Sequence, residues 1–407
     1  MGNSVDFDVR NGSVHLVSAR KTTPGSQTSL REANRSRLVE TLKRHGHLTQ
    51  VELVGATGLS AATVSNIVKE LAAAGVLNTA ATSRSGRRAV EVTLVRRPGL
   101  VTGLHFSKRH LRVAISDVDR TIVAETHLPL APDHRHDREM DRAALLISDM
   151  LENLDAPLSD VLAVGMALPV PVDRTTGIIS TPGLLKGWDG IPIATAMSER
   201  VQLPVIVDTE ANLGGLAEFR SGAARGSSNA AYIRVGYSIQ GCLLVNGSPL
   251  TGATGRAGQI GHVTIDPQGP PCACGSRGCL ETFAAGPALL ELFREDPGVP
   301  RLRDLLLRAE AADSGAIRAI ADAGRHLGSA TASLTNLFDP DLVVIGGELA
   351  EAGELLLAPL RHSLERSALG TSIPTVVTGT LGDRATVLGC LAVAIDNVAA
   401  EWKPQLR

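Results

Sequence analysis

Three cysteines within eight residues, inside the stretch PCACGSRGCLE, constrain this chain more than any other feature of its sequence. A histidine lies ten residues before the first of them. Three cysteines and one histidine are the usual ligands of a closed tetrahedral zinc site, which leaves no position for a catalytic water. Thiolates also suit zinc better than magnesium or calcium. The pattern predicts a structural Zn²⁺ held by His262, Cys272, Cys274 and Cys279.

Cysteine use and the lack of a targeting pattern indicate a reducing compartment. Clustered thiols there favour metal binding over disulfides, and Cys242 and Cys390 lie in apolar runs typical of buried side chains. The first 30 residues lack a signal-peptide core, and the sequence has no run of about 18 apolar residues. We therefore expect a cytoplasmic protein with no membrane partner, whose 407 residues form two or three folding units.

The front of the chain has the pattern of three helices and a two-stranded ribbon. A first helix covers RSRLVETLKRH, and Thr49 with Glu52 forms a capping box for a second helix that ends at Gly58. Ser60 caps a third helix, AATVSNIVKELAAAG, and the strands VLNTA and AVEVTLV follow around the turn SRSGRR. This order is that of a winged helix-turn-helix, whose third helix enters the major groove of DNA.

Local charge supports a DNA-binding role for this segment. Eleven basic and five acidic residues between Arg31 and Arg97 give a net charge of +6, in a chain whose formal net charge is −2. Contacts of arginine to DNA phosphates are the expected use of such an excess, and the alternative is a small interaction domain with a solvated basic face. Val64, Ile67, Val68 and Leu71 are expected to face the core. The predicted DNA contacts are Thr49, Ser60, Ala61, Thr63, Ser65, Asn66, Lys69, Arg84, Arg87 and Arg88.

From residue 101 onward, short β-rich runs alternate with glycine-rich turns and alanine-rich helices. The runs VTGLHF, LRVAISDVD and TIVAETHLPL are typical of a strand meander. Further buried strands are predicted at VLAVGMALP, PVIVDTE, AAYIRVG, IQGCLLVNG and DLVVIGG. Helices are predicted over residues 137–153, 211–220, 315–338 and 384–399. Two segments each begin with a meander, which favours an internal doubling within a mixed α/β body.

The stretch GQIGHVTIDPQGPPCACGSRGCLETFAAGPAL resembles the motifs of the ROK family (repressor, open reading frame, kinase), in which E-x-G-H precedes C-x-C-G-x-x-G-C-L-E. The resemblance covers the chain from about residue 30. With its winged helix, the chain is similar to the sugar-responsive transcription factors of the family rather than to its shorter sugar kinases. The resemblance implies an actin-like, ribonuclease-H-like ATPase fold of two α/β lobes around a cleft, with a zinc hairpin that shapes the sugar pocket.

The phosphate-binding loops of the family's kinases are degenerate in this chain. The first is typically D-I-G-G-T, but residues 105–109 are HFSKR, and the second is typically G-T-G-I-G-G-G, but residues 236–242 are GYSIQGC. The third, GGE at residues 346–348, survives better. The catalytic Asp of N-D-x-N corresponds to Glu210, whose extra methylene displaces a base by roughly an ångström. ATP binding and phosphoryl transfer are predicted to be absent.

The sugar pocket that the resemblance implies is altered but not erased. The usual sugar-binding Asn of S-P-N-L is Gly183, and the glutamate of E-x-G-H is Gln259. Trp188 is interpreted either as a platform for a sugar ring or as a core side chain. The candidate effector-binding residues are Gly183, Glu210, Asn212, Gln259, His262 and Glu281.

Three functions follow from these patterns. The first is a DNA-binding regulator, in particular a repressor, whose catalytically dead body senses a sugar or sugar derivative. The second is an ATP-dependent sugar kinase with an appended DNA module, and the third is a constitutive DNA-binding or scaffold protein. The expected partners are double-stranded operator DNA, a sugar effector and further copies of the chain, as a homodimer or higher homo-oligomer. The predicted domains are a flexible arm (1–29), the winged helix (30–97) and a two-lobed effector-binding and oligomerisation body (98–407).

Overall fold

The chain folds as two compact units, Met1–Arg97 and Pro98–Arg407. The structure is a computed structural model. It describes residues 7–10, 13–16, 31, 34–35, 37–39, 41–42, 47–73, 76–84, 87–94, 99–173, 175–296, 298–370 and 373–402.

A short hairpin lies in the segment for which only a flexible arm is expected. Strands β1 (Phe7–Arg10) and β2 (Ser13–Leu16) pair antiparallel, with Arg10 opposite Ser13. In the sequence, apolar residues alternate on both sides of an Asn-Gly dipeptide, which is a strong hairpin signal that the expectation overlooked. The remainder of residues 1–29 lies outside the described residues.

The front unit is a winged helix. The described residues between 31 and 42 are helical and are called α1. Strand β3 (His47–Thr49) leads into α2 (Gln50–Thr57), and α3 (Ala61–Ala73) follows. Strands β4 (Leu77–Arg84) and β5 (Arg87–Leu94) form the wing, and β3 pairs with β5 in a sheet of order β3-β5-β4.

The apolar faces of the three helices close the core of this unit. Leu38 and Leu42 on α1 and Leu53 on α2 are fully buried, as is Val92 on β5. The four α3 residues expected to face the core are buried with them, which confirms the predicted helical phase: Val64, Ile67, Val68 and Leu71.

Two five-stranded sheets of the same topology form the body. The sheet of the first lobe contains β6 (Leu100–Phe106), β7 (His110–Asp117), β8 (Ile122–Pro129), β9 (Val161–Leu168) and β10 (Val205–Thr209). The sheet of the second lobe contains β11 (Asn229–Val235), β12 (Ile239–Val245), β13 (Ser248–Pro249), β14 (Leu342–Gly346) and β15 (Thr375–Thr378). In each sheet two parallel strands extend an antiparallel meander on the side of its first strand, giving the orders β10-β9-β6-β7-β8 and β13-β12-β11-β14-β15. The doubling inferred from the sequence is therefore present in the sheets.

Helices flank both sheets. They are α4 (His136–Asn153), α5 (Ile193–Val201), α6 (Glu210–Ser221), α7 (Glu281–Ala284), α8 (Gly286–Glu291), α9 (Leu302–Glu310), α10 (Ser314–Phe338), α11 (Glu354–Ser367) and α12 (Ala385–Trp402). The four predicted helices correspond to α4, α6, α10 and α12, whereas α5, α7, α8, α9 and α11 were not predicted. Pro359 lies inside α11, and such a residue argues against a helix when only the sequence is considered.

Helices α6 and α12 lie between the two sheets, and their contact is called the α6–α12 spine. Val387 and Leu391 of α12 pack in a cluster with the first sheet, whereas Ala211 of α6 packs with the second. A Cβ at Gly389 of α12 would overlap the Leu213 carbonyl of α6, so glycine is required where the helices cross. The buried part of the spine consists of apolar and small side chains, and an ion pair between Arg220 and Asp396 joins the two helices nearer the surface.

Candidate functional site

The helix-turn-helix is built from short-range contacts. Thr49 caps α2, because its hydroxyl accepts the Glu52 N–H at 3.3 Å and the Glu52 carboxylate accepts the Thr49 N–H at 2.7 Å. Gly58 ends α2 with a φ of 68°, in the left-handed region that favours glycine. The Ser60 hydroxyl accepts the Thr63 N–H at 3.1 Å and caps α3. These contacts confirm the predicted capping box, helix end and second cap.

Helix α3 presents small and polar side chains to solvent, as a helix that lies in the major groove requires. Four of the predicted DNA contacts at this helix are exposed and two are half-buried. The exposed ones are Ser60, Ala61, Asn66 and Lys69, and the half-buried ones are Thr63 and Ser65.

The remaining predicted DNA contacts lie on the wing and at the start of α2. Arg84 lies opposite Arg87, and Arg88 lies opposite Ser83, in the register of the wing strands. The side chains of these arginines lie outside the described residues. Thr49 is only 5% exposed and its hydroxyl is held by Glu52, so its side chain serves as a helix cap, and its contact with DNA stays a prediction.

The structure brings together the four residues predicted to bind zinc. One ligand atom from each of His262, Cys272, Cys274 and Cys279 lies within 4.8 Å of the others. The Cys272 sulfur is 3.6 Å from His262 Nδ1, and the Cys274 and Cys279 sulfurs are 3.6 Å apart. A tetrahedral zinc with bonds of about 2.0–2.3 Å needs ligand separations of roughly 3.5–3.8 Å. The two separations of 3.6 Å therefore fit such an ion.

Backbone turns hold the thiols in place. The Cys272 N–H donates to the Ser276 carbonyl at 2.8 Å, and the Gly275 N–H donates to the Cys272 carbonyl at 3.0 Å. Gly275 has a φ of 91°. A Cβ at Gly278 would overlap the Asp266 carbonyl, so the hairpin needs glycine there. The glycines of the quoted stretch thus shape the loop that carries the ligands.

A second group of polar residues surrounds Glu210 between the two sheets of the body. Glu210, at the start of α6, is fully buried. The His105 Nε2 lies 3.1 Å from one of its carboxylate oxygens, and an Arg234 guanidinium nitrogen lies 3.0 Å from the other. Burial raises the pKa of the Glu210 carboxyl, and Arg234 opposes that rise. Both carboxylate oxygens are therefore engaged by side chains of the protein itself.

Arg234 also binds a second carboxylate. Its guanidinium lies 3.1 Å from Glu348, and His110 Nδ1 lies 3.9 Å from the same carboxylate. Although burial opposes the charge of Arg234, the two carboxylates hold its pKa above the ordinary value. A Cβ at Gly236 would overlap the Glu348 carboxylate. The Glu348 carboxylate thus lies over the turn at Gly236.

The two histidines of this group have lowered pKa values. Burial holds the pKa of His105 well below its ordinary value. Burial also lowers the pKa of His110 to about 2, with a smaller contribution from His105, against the opposing charge of Glu348. A neutral His105 donates its Nε2–H to Glu210, because a carboxylate can only accept.

The predicted effector residues occupy several environments. Glu281 lies beside the metal group, and its carboxylate accepts the Ile239 N–H at 2.8 Å and lies 4.0 Å from the Lys108 ammonium. Asn212 is buried and donates to Asp208 at 2.7 Å, whereas Gln259 is half-buried just before the turn that carries His262. The Gly183 N–H donates to the Asp189 carboxylate at 3.2 Å. Their role as effector ligands stays a prediction.

Trp188 is a core side chain, so its interpretation as a stacking platform is wrong. It is fully buried, its ring lies 5.2 Å from Phe106, and its indole N–H donates to His134 at 3.1 Å. Sequence reasoning also missed Arg234 and Lys108. Arg234 did leave a signal, because a charged residue within a strand expected to be buried requires a partner.

None of the described helices is by itself long and apolar enough to cross a membrane. The pair α2 and α3 passes that test only when taken together, and it is bent by 116°.

Comparisons with known proteins match both units. A model of the ROK family matches residues 101–397, and a model of winged helix-turn-helix DNA-binding domains matches residues 31–78. The chain is 28% identical over 398 residues to a putative xylose repressor of Caldicellulosiruptor sp. (strain Rt8B.4), covering 92% of this chain and 98% of that protein. It is 34% identical over 280 residues to a glucokinase of Halalkalibacterium halodurans, covering 62% of this chain and 83% of the enzyme.

A solved structure extends the likeness to the fold. The crystal structure of a ROK family transcriptional regulator, described as a homologue of the E. coli MLC protein, superposes with a TM-score of 0.64 at 23% identity, covering 89% of this chain and 96% of the other. The predicted fold class, a winged helix-turn-helix with an actin-like two-lobed body, is confirmed. Because the family model spans most of the body and the winged helix precedes it, this chain belongs to the ROK family.

Proposed function

We propose that this protein is a sugar-responsive DNA-binding regulator that represses transcription from its operator. The proposal rests on one observation: this chain combines a ROK body with a winged helix whose α3 presents exposed polar side chains. Similarity to a putative xylose repressor over nearly the full length of both chains supports it. Helix-turn-helix proteins commonly bind two-fold operators as dimers, so we expect two copies of this chain on the operator.

The body acts as a sensor rather than a kinase. A general base must be free to take a proton from the substrate hydroxyl. Glu210, at the position of the family's catalytic Asp, is fully buried and is paired with Arg234 and His105. The likeness to a glucokinase favours the alternative, a kinase with an appended DNA module. ATP turnover above background with any hexose would decide for that alternative.

The metal group holds structural zinc. The three cysteines and His262 supply four ligands, so no coordination position is left for a substrate. When bound, zinc fixes the fold of the loop that precedes Glu281 and neutralises the thiolates. Because Glu281 follows Cys279 by two residues, the metal group positions this carboxylate beside Lys108.

The effector is a sugar or sugar derivative bound near Glu281, His262 and Gln259. It acts by binding the operator-free form more tightly than the operator-bound form, because only a difference in affinity can shift an equilibrium. A constitutive DNA-binding protein would show no such difference. Xylose is the first sugar to test, because relatives carry it in their names.

Fluorescence anisotropy with a duplex from the region upstream of the protein's own gene tests the proposal. Asn66→Ala should weaken binding by roughly 1–3 kcal/mol, since one lost base contact costs that amount. Lys186→Ala, an exposed residue of the body, is the matched control and should bind like the wild type. Pentoses, hexoses, amino sugars and their phosphates are then added to the complex. Release of DNA by one of them supports sensing, whereas specific binding that no sugar changes would leave the constitutive alternative.

A further inference from the structure

The turn that joins β6 to β7 places two cationic side chains, Lys108 and Arg109, close to Glu281 of the candidate effector site. The Ser107 N–H donates to the His110 carbonyl at 2.8 Å, which closes the turn. Ser107 is buried, whereas the two cations that follow it are half-buried. The backbone therefore holds both side chains at a defined position in the body.

The Lys108 ammonium lacks a hydrogen-bond acceptor among the described residues. The ion pair that it forms there is with the Glu281 carboxylate at 4.0 Å, which is beyond hydrogen-bond distance. Its side chain is 26% exposed, so water reaches it only in part. An ammonium has three N–H donors, and a cation withdrawn from water is costly unless other acceptors replace the water. The group is therefore placed for acceptors that a bound ligand supplies.

The charge of Lys108 acts on two carboxylates. Burial raises the pKa of the Glu210 carboxyl, and both Arg234 and Lys108 oppose that rise. One oxygen of Glu281 accepts the Ile239 N–H at 2.8 Å, and the other oxygen is the one that lies nearest to Lys108. This second oxygen can accept a ligand hydroxyl, so Glu281 and Lys108 offer an acceptor and a donor at the same place.

Arg109 adds a second positive charge at this turn. Its guanidinium lies 5.4 Å from the centre of the Tyr237 ring, in a cation–π contact. The Tyr237 hydroxyl accepts the Leu302 N–H at 3.3 Å, which fixes the ring. In the described part of the chain, Arg109 forms no ion pair with a carboxylate. The turn thus has two cations and one carboxylate at ion-pair distance, and this excess favours an anionic ligand.

The turn suits a carboxylate better than a phosphate. Phosphate-binding turns direct several free backbone N–H groups at the anion, commonly at glycines. Residues 105–109 contain no glycine. The N–H groups of Ser107 and Arg109 donate to the His110 carbonyl and to the Ser107 hydroxyl, so they are not free. A monoanion also matches a single ammonium beside Glu281, whereas a dianion would be repelled more strongly by that carboxylate.

We propose that Lys108 determines the specificity of the effector site, and that the effector is a sugar acid whose carboxylate pairs with the Lys108 ammonium. Hydroxyls of the same sugar donate to Glu281. This inference rests on the proposed function, because it names the class of ligand that binds at the same site. A neutral sugar leaves the Lys108 ammonium without a charged partner in hydrogen-bond contact, so it binds more weakly than a sugar acid with the same ring.

Isothermal titration of the full-length protein with sugars of one ring configuration tests the inference. D-xylose, D-glucose, D-glucuronate and D-glucose 6-phosphate differ only in the substituent on the fifth carbon. L-arabinose, D-galactose, D-galacturonate and D-galactose 6-phosphate form the same series on a second ring, and D-gluconate and D-xylonate carry the carboxylate at the first carbon. One of these sugar acids should bind about tenfold more tightly than its neutral counterpart, since a hydrogen bond to a charged group contributes that much.

Variants of Lys108 test its role directly. Lys108→Met keeps the length of the side chain and removes its charge, so it should weaken binding of the sugar acid about tenfold. The affinity for the neutral counterpart should stay near the wild-type value, a pattern that a merely structural role does not produce. Lys108→Arg should keep the preference for the acid. Arg318→Met removes a positive charge from an exposed position of α10, so it is the matched control and should bind every sugar like the wild type.

The outcomes separate this inference from the proposed function. If a neutral sugar binds as tightly as the matching acid and releases operator DNA, sensing stands and the role of Lys108 is refuted. Tighter binding of a sugar phosphate than of the matching uronate refutes the choice of a carboxylate. An equal loss for acids and neutral sugars in Lys108→Met assigns this residue a structural role. If Lys108→Met does not fold, the wild-type affinities for each acid and its neutral counterpart decide.

Discussion

At the residue scale, the metal group depends on turns rather than on a rigid element. Gly275 has a φ of 91° and Gly278 has a φ of 59°, so the chain reverses between the ligands. The ligand atoms come from a 3-10 turn that ends at His262 and from a loop that ends at Cys279. Because ligands on loops are ordered largely by the ion, metal binding and local folding are coupled.

Replacing one ligand should therefore release the metal. In Cys272→Ser the site loses a thiolate, so the zinc content of the purified protein should fall from about one ion per chain to near zero. Inductively coupled plasma mass spectrometry measures this content. The operator affinity should fall while the helical content of the winged helix is unchanged. Ser276→Ala, at an exposed position of the same turn, is the control and should keep its zinc. Unchanged zinc in Cys272→Ser would refute the ligand assignment.

The distance in sequence between partners decided which residue contacts could be predicted. The capping box joins Thr49 to a residue three positions later, so the local pattern was sufficient. The metal ligands lie within 18 positions and carry a distinctive chemistry. Arg234 and Glu348 are 114 positions apart, and only the sheet topology brings β11 beside β14. No local pattern identifies such a pair.

At the scale of elements, the hairpin of β6 and β7 carries a fully buried and a half-buried histidine, His105 and His110, which face polar and charged groups of other elements. Glu210 and Arg234 face His105, whereas Glu348 and His127 face His110. The rings of His105 and His110 meet edge to face at 4.8 Å. Burial lowers the pKa of both groups, and that of His110 falls to about 2. The folded hairpin therefore resists protonation.

Acidification should destabilise the body for this reason. Below about pH 6.5 the unfolded chain binds protons at both histidines but the folded chain does not, so stability is lost as the pH falls toward the folded pKa values. Each histidine contributes a loss of about 1.4 kcal/mol per pH unit. The free energy of unfolding, measured by urea titration at about pH 7 and about pH 5.5, should show this decline.

Substitution of one histidine checks the cause. His110→Gln should lose about 1.4 kcal/mol less than the wild type over this interval, because one proton-linked group is removed. His362→Gln, at an exposed position, should keep the wild-type dependence on pH. An equal decline in all three proteins would show that other groups cause the acid lability.

Sequence patterns identified most of the long helices and strands, and they missed elements that are short or that contain a residue unfavourable to the structure. The strands of both meanders and the four predicted helices are present. Helix α11 was missed because of Pro359, and β15 has only four residues. The position of α6 and α12 between the sheets follows from their contact with each other, where Gly389 of α12 meets Leu213 of α6, and residues so far apart in sequence carry no local pattern that predicts this contact.

At the scale of the whole molecule, charge is divided between the two units. Residues 31–97 carry +6, residues 1–30 carry +1 and the chain carries −2, so the body, residues 98–407, carries −9. The basic part is attracted to DNA, and the acidic remainder is repelled by it. The balance favours contact through the winged helix and limits non-specific binding by the body.

Operator binding should consequently depend strongly on salt. The logarithm of the binding constant should fall linearly with the logarithm of salt concentration between about 50 and about 200 mM. Lys69→Ala should reduce the magnitude of this slope by about 1 if Lys69 contacts a phosphate. Lys186→Ala should leave the slope unchanged, and anisotropy titrations at several salt concentrations measure it. An unaltered slope in Lys69→Ala would remove this residue from the phosphate contacts.

Gly236 has a consequence for interpreting related chains. Gly236 has no side chain, yet the Glu348 carboxylate occupies the space that a Cβ at this position would need. A glycine at this position therefore does not by itself indicate a loop that can bind a phosphate. The combination of Gly236 with Arg234 and Glu348 is more informative, because it shows that an ion pair of the protein itself occupies the space over this turn.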